Sequence, residues 1–503
     1  MAGLAVSQSA ILKKVMVHEP TLDPHSTVPL YRQLADAIAE QITSGERKPG
    51  ERLLATRELA LQLGLNRTTV SAAYAQLEEN GLIKGHVGRG SFVVGAPTGS
   101  ELAGLDWEAI LPRVDSTPNM PRMEINFAAS QPDWEEFPMT AFRRLAKEAI
   151  DSPEATEFLQ LGSPLGYSPL RRYLLGQVRE SGIARDTDDL VVTNGCQQAL
   201  DLLARLLTSN GETVVIENPS YHGLMKVFKR VGANIVPVPV GDDGVRPDAL
   251  EAAIARHKPR VVVLTPSFHN PTGATVPLAA RERILDILRR WDVVAIENDI
   301  YSELRYEGEA LPSLKQLDDR GNIILLRSYS KISFPGLRVG WVVAPRAVVQ
   351  RLAELKQVCD LHTDQLSQAV LLRFSQSGEL DRHLEKSKPA NAQRLSAALA
   401  ACARYLPAGS KFTRPQGGLN LWIELPAALD SRDILLRVQE QGVNFLSGSY
   451  FSVDSGHMNC LRLSFGGLAP SRIEEGVRII GNAAAKQLAA LTRQDLEPAP
   501  ALV

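Results

Sequence analysis

Ser328–Gly340 reads SYSKISFPGLRVG, and it follows the apolar run of NIILLRS (322–328). Lys331 therefore stands at the mouth of a buried strand, framed by Ser328 and Ser330 and trailed by Arg338. A lysine amine is a useful nucleophile when it can condense with an aldehyde, and its pKa must be lowered for that. Hydroxyls and an arginine beside it suit a phosphate dianion. The stretch fits a ligand that carries both groups, and such a ligand needs further partners.

The chain offers them in order. VVTNGCQQAL (191–200) ends a strand and opens a helix at Gly195, so the amides of Cys196 and Gln197 can hold a phosphate. NPSYHG (218–223) places Tyr221 in a loop after a strand, ready to stack on an aromatic ring. SFHNPTG (267–273) puts Asn270 at the end of another strand, within reach of a phenolic oxygen. ENDIY (297–301) ends the next with Asn298, Asp299 and Tyr301. Buried runs such as TVVIENP, RVVVLTP and DVVAIEN alternate with helical patterns such as RPDALEAAIARH and LAARERILDILRRW. That alternation predicts an α/β fold with a largely parallel sheet covered on both faces, its ligand at the C-terminal strand ends.

On these motifs residues 125–488 resemble a fold-type I aminotransferase dependent on pyridoxal 5'-phosphate (PLP). The resemblance implies that Lys331 forms the internal aldimine, Tyr221 stacks on the ring, and Asn270 and Tyr301 touch its oxygen. Arg462 in NCLRLSFGG matches the arginine that grips a substrate carboxylate. One position departs. The family's aspartate, which pairs with the ring nitrogen, usually stands three residues before the tyrosine, and Asn298 is there. Asp299 follows and, on a straight strand, points to the opposite face. A slip or bulge would bring Asp299 in instead, and our reading favours Asn298.

The front of the chain is of another kind. PLYRQLADAIAEQITSG (29–45) is an amphipathic helix closed by Gly45. TRELALQLGLNRTTVSAAYAQLEENGL (56–82) reads as helix, tight turn at Gly64, and a second helix opening at Asn66-Arg67-Thr68-Thr69. IKGHVGRGSFVV (83–94) reads as a two-stranded wing tipped by Gly88-Arg89-Gly90. Short polar and basic side chains at a helix's first turn suit the major groove, and Arg57 and Arg89 suit flanking phosphates. Taken singly, each arginine reads as a solvated surface residue; the ordered set of elements decides otherwise. Residues 25–94 resemble the winged helix-turn-helix of GntR-type regulators, which carries Arg57, Arg67, Thr68, Thr69, Arg89 and Gly90 over as DNA contacts; Asn66 joins them from the polar first turn of the second helix. The family's Leu-Pro-Ser-x-Arg reads Leu53-Leu54-Ala55-Thr56-Arg57 here, with Thr56 expected to take the capping role.

Residues 1–24 read as a flexible extension, 95–124 as a Pro/Gly/Ser-rich linker, and 489–503 as a disordered tail. A net charge of −2 argues against polybasic coating of nucleic acid. The four cysteines lie far apart, with no His cluster at metal spacing, so no metal site is expected and a reduced cytoplasm is. No apolar run approaches the roughly 18 residues of a membrane span. Taken whole, the chain resembles the MocR subfamily of GntR regulators. That implies a cytoplasmic homodimer on promoter DNA, whose PLP on Lys331 senses an amine or amino-acid effector. A working aminotransferase, or a sensor of PLP itself, are the alternative readings.

Overall fold

The structure, a computed structural model, describes residues 22–23, 26, 28–86, 90–94, 107, 111 and 123–494, in two compact units that divide after Asn119. The segments read as an N-terminal extension and a linker fall largely outside the described residues.

The first unit holds α1 (Leu30–Thr43), α2 (Thr56–Leu63) and α3 (Arg67–Glu79), then a hairpin of β1 (Ile83–His86) and β2 (Gly90–Val93). Leu34, Ile38 and Ile42 fall four apart along α1 and share one face, which buries against Val70, Ala73 and Leu77 of α3. Burying each large side chain contributes about 1.5–3 kcal/mol. Gly64, with φ +66°, ends α2 in the left-handed conformation that glycine adopts without strain. Thr56 does not cap α2 as expected. It is the first helical residue, Ala55 precedes it, and the Glu58 carboxylate accepts the Ala55 N–H at 3.3 Å instead. A first-turn glutamate thus replaces the missing serine-type cap.

The second unit opens with β3 (Ile125–Asn126) and is built on an eight-stranded sheet. Its strands are β4 (Asp188–Thr193), β5 (Thr213–Asn218), β6 (Asn234–Gly241), β7 (Gly244–Val245), β8 (Val261–Leu264), β9 (Val294–Asn298), β10 (Ile323–Ser328) and β11 (Gly340–Pro345), in the order β4-β11-β10-β9-β8-β5-β6-β7. The body is parallel, as expected, except that β11 runs antiparallel to both neighbours and short β7 antiparallel to β6. Val261–Leu264 are all buried, as a strand covered on both faces must be. The reversal of β11 has a consequence for the site: its first residues lie at the same sheet edge as the last residues of β4, β9 and β10.

A second, antiparallel sheet of β12 (Lys411–Phe412), β13 (Asn420–Glu424), β15 (Leu446–Ser447) and β16 (Cys460–Ser464) packs with the helices Glu379–Tyr405 and Pro470–Gln494. Short β14 (Val443–Asn444) pairs in parallel with β3, tying the unit's first strand to its C-terminal part. The two helices touch closely at Gly481, where a Cβ would stand 2.2 Å from the Tyr405 carbonyl oxygen. The last helix continues to Gln494, so the boundary at 488 and a tail starting at 489 are corrected by six residues. Leu488 and Leu491 pack against this core, which is why the helix goes on. Among the described residues no helix is long and apolar enough to cross a membrane.

Candidate functional site

The C-terminal edge of the large sheet opens into a cavity of about 320 Å³. Its wall includes Cys196, Gln197, Tyr221, Asn270, Asn298, Tyr301, Ser328, Ser330, Lys331, Arg338 and Arg462, which the sequence disperses over 267 positions. Most arrive at or just beyond the end of a strand; Arg338 comes just before the reversed β11, and Arg462 from the middle of β16.

One end is a cup of donors. The helix α4 (Gly195–Leu207) starts directly after β4. Gly195 has φ +73°, and a Cβ there would meet Arg338 Nη2 at 2.4 Å. Gly340, unremarked in the sequence, presses on the same turn: its Cβ would stand 3.0 Å from the Cys196 amide nitrogen. Ser328 Oγ donates to the Val339 carbonyl and accepts the Ser330 N–H at 3.0 Å. The Arg338 guanidinium makes long contacts, 3.3 Å to the Pro335 carbonyl, 3.4 Å to Ser330 Oγ and 3.5 Å to the Asn194 carbonyl. Cys196 donates its thiol to the Arg327 carbonyl, and burial pushes it up to about 12, so it stays protonated despite nearby Lys331 and Arg338.

Lys331 lies at the centre, its Nζ donating to the Ser130 carbonyl and standing 5.7 Å from the centre of the Tyr301 ring. Tyr301 is fully buried, and its hydroxyl meets Ser130 Oγ at 3.0 Å and Asn420 Nδ2 at 3.4 Å. Burial alone would raise this phenol; Lys331, the Ser130 and Asn420 bonds and Arg462 outweigh it and hold it below its ordinary value. Tyr221 is 39% exposed at the mouth, and Gly223 leaves room for its ring, because a Cβ there would stand 2.5 Å from Tyr221 Cε1.

Arg462 closes the far side. It donates to Asn270 Oδ1 at 3.2 Å and to the Ala128 carbonyl, lies 5.1 Å over the Phe451 ring, and has a buried Nε without a partner. Burial lowers its guanidinium to about 10, against the opposing pull of Tyr301, Tyr221 and Tyr450. A buried cation with a free donor is suited to an incoming carboxylate. Ala128, Ser130, Ile300, Leu446, Tyr450 and Phe451 also line the wall and were missed in the sequence. Ser130 and Tyr450 sit in no strand-to-loop motif that announces chemistry, and only the fold brings them to Lys331 and Arg462.

Asp299 is the one expected residue that turns away. Its carboxylate pairs with Arg327 at 2.8 Å and accepts from Ser302 Oγ at 2.9 Å, outside the cavity wall. Asn298 takes the cavity side, with its buried Oδ1 unpartnered. Of the two residues between which the sequence left the choice open, Asn298 lines the cavity and Asp299 does not, and the cause is strand alternation: Glu297 and Asp299 share one face, Asn298 the other.

In the first unit, Asn66 caps α3, its Oδ1 accepting the Thr68 N–H at 3.2 Å. Arg57, Asn66, Arg67 and Thr68 are exposed and Thr69 is half-buried, so the first turn of α3 presents its polar groups outward. Gly90 opens β2 with φ +99°, and a Cβ on it would meet Arg52 Nε at 3.0 Å. Arg52, not singled out in the sequence, thus lies at the wing. Arg89 lies outside the described residues.

The sheet order, the donor cup and the central lysine define the large unit as a fold-type I, aminotransferase-like domain. The pattern described as aminotransferase class I and II matches residues 122–480, and that of bacterial regulatory proteins of the gntR family matches 30–93. A 2-aminoadipate transaminase of Thermus thermophilus is 37% identical over 363 residues, covering 71% of this chain and 89% of that protein. The solved structure of LysN, an α-aminoadipate aminotransferase of Thermus thermophilus, superposes with a TM-score of 0.72 at 34% identity, over 77% of this chain and all of that one. A probable rhizopine catabolism regulatory protein of Rhizobium meliloti, MocR, is 30% identical over 481 residues, covering 92% of this chain and 95% of that protein. The chain belongs to the MocR-type GntR transcription regulators, in which a DNA-binding helix-turn-helix unit is joined to an aminotransferase-like domain.

Proposed function

We propose that this regulator takes pyridoxal 5'-phosphate on Lys331 and changes its hold on promoter DNA when an amine or amino-acid effector competes for that position. The observation that carries the reading is the cavity itself. A cup of hydroxyls, arginine and helix N-terminus, with no room for a side chain at Gly195, stands at one end; Lys331 is at the centre and Arg462 at the other end. When bound, the cofactor supplies an aldehyde that condenses with primary amines and a ring that draws electrons from them. In this reading the chain's own groups do the rest. Ser328, Ser330, Arg338 and the amides of α4 bind the phosphate, Tyr221 covers the ring, and Asn270 and Tyr301 orient its oxygen. Arg462 takes the carboxylate of an amino-acid effector.

An effector alters DNA binding only by its differential affinity for two states of the protein, about 1.4 kcal/mol for each tenfold. Two such chains together read paired half-sites, so the working form is a homodimer. The test is borohydride reduction of protein incubated with PLP, followed by peptide mapping, beside DNA affinity measured with and without amines. Labelling at Lys331 and amine-dependent DNA affinity are expected. A label elsewhere, or none, overturns the reading.

A second reading, a working aminotransferase with a regulatory appendage, is favoured by Lys331 and Arg462 facing one cavity as a transaminase needs. Steady-state keto-acid formation from amino acids would favour it over the first.

A further inference from the structure

The cavity carries three cationic side chains, Lys331, Arg338 and Arg462, and no acidic side chain among its described lining residues. The nearest candidate, Asp299, is held behind the strand. Arg327 Nε bonds it at 2.9 Å and Ser302 Oγ at 2.9 Å. The register of β9 on β10 runs unbroken to Leu326↔Asn298, and the Asp299 N–H continues it by bonding the Leu326 carbonyl at 2.9 Å. There is no bulge to rotate Asp299 inward. Asn298 therefore faces the cavity alone, 5% exposed, with Oδ1 lacking any partner. The side-chain amide is thus committed to no bond within the protein and can turn either its oxygen or its N–H to a ligand.

A neutral amide can accept from a protonated ring nitrogen or donate to a bare one. The charge around it decides. Lys331, Arg338 and Arg462 are each matched by a group of the cofactor or effector, so Asn298 alone is left at the ring nitrogen, and no lining carboxylate is there to hold a proton on it. Resting on the PLP reading above, we propose that Asn298 donates its amide N–H to the cofactor's ring nitrogen and keeps it unprotonated, so that the site retains an amine ligand instead of converting it. A bound amino acid gives up its Cα proton only if the ring accepts the electron pair left behind, and an uncharged ring accepts it poorly. Asn298 is thus a residue that sets the outcome of binding: occupancy without turnover, which a sensor needs.

The test uses full-length protein loaded with PLP carrying ¹⁵N at the ring nitrogen. In the wild type the ¹⁵N resonance is expected at the position of a bare pyridine. Asn298→Asp moves it to that of a protonated ring, and Asp299→Asn leaves it in place. In deuterated buffer, exchange of the Cα proton of a bound amino acid should rise roughly tenfold or more in Asn298→Asp, a barrier lowered by at least about 1.4 kcal/mol. A protonated ring in the wild type overturns the inference by itself, whether or not the variants fold. So does a resonance that responds to Asp299→Asn and not to Asn298→Asp. Both failures leave PLP binding intact; a wild-type protein that takes up no PLP refutes the broader reading as well.

Discussion

At Gly195 the chain forgoes a side chain so that Arg338 can lie against the first turn of α4. Gly195→Ala places a methyl 2.4 Å from Arg338 Nη2 and forces a non-glycine residue to φ +73°. The guanidinium is the end of a flexible side chain and moves first, so the loss falls on the phosphate cup more than on the fold. PLP affinity is expected to drop roughly tenfold or more, by titration of absorbance, with the far-ultraviolet circular dichroism unchanged. At this scale the sequence was informative wherever chemistry follows a strand directly, as at Gly195, Asn270, Tyr301 and Lys331. It was silent on Ser130 and Tyr450, which reach the cavity from segments with no local signal. The choice between Asn298 and Asp299 was legible only as a preference. The deciding partner, Arg327, sits on a neighbouring strand, and no spacing rule connects the two.

Among the elements, β9 shows how one strand serves two environments. Glu297, one residue before Asn298, faces the other way and accepts the N–H groups of Leu314 and Lys315, both at 2.8 Å. Burial pushes its carboxyl up to about 7, with Asp299 adding to the effect and the two N–H donors opposing it. An unfolded glutamate titrates near 4.3, so over the interval up to about 7 the folded protein binds a proton that the unfolded chain has shed. The stabilisation from this group is complete below about pH 4.3 and is lost as pH rises through about 7. Glu297→Gln cannot titrate and is expected to flatten that part of the stability curve, measured by urea unfolding between pH 4 and pH 8. A slope equal to the wild type's would assign the pH dependence to other groups. Strand identities were readable because buried parallel strands are continuous apolar runs. The reversal of β11 was not, since an apolar run looks the same in either direction. The end of the last helix was not either, because what holds residues 488–494 helical is packing on a distant core.

For the molecule as a whole, two units with separate cores imply separable losses. Arg67 is exposed at the first turn of α3, far in sequence from any cavity residue. Arg67→Ala is expected to weaken binding to the cognate promoter at least several-fold while PLP content stays the same. If Arg67 contacts a phosphate, the log–log salt slope should fall by roughly 0.9. Fluorescence anisotropy on labelled DNA across a salt series measures both. Unchanged affinity would move the DNA contact elsewhere on the unit. The two-part architecture was legible from the change of periodicity near residue 125, since a helix-rich front and a strand–helix alternation leave different patterns. How an effector signal passes from one part to the other has no local pattern to leave.

Arg462 lies on the penultimate element of the chain, whereas the last strand of the first unit ends at Val93. On the ribosome these parts emerge roughly 370 residues apart, which at 5–20 residues per second is roughly 20–70 s. The DNA reader, with a core of its own, can fold during that interval, and the receptor cavity cannot close until β16 has been made. On the proposed function, every newly made copy thus has its DNA reader before it has a cavity in which an effector could be held. A premature stop in the second unit before Arg462 would leave a chain that carries the reader and lacks part of the cavity.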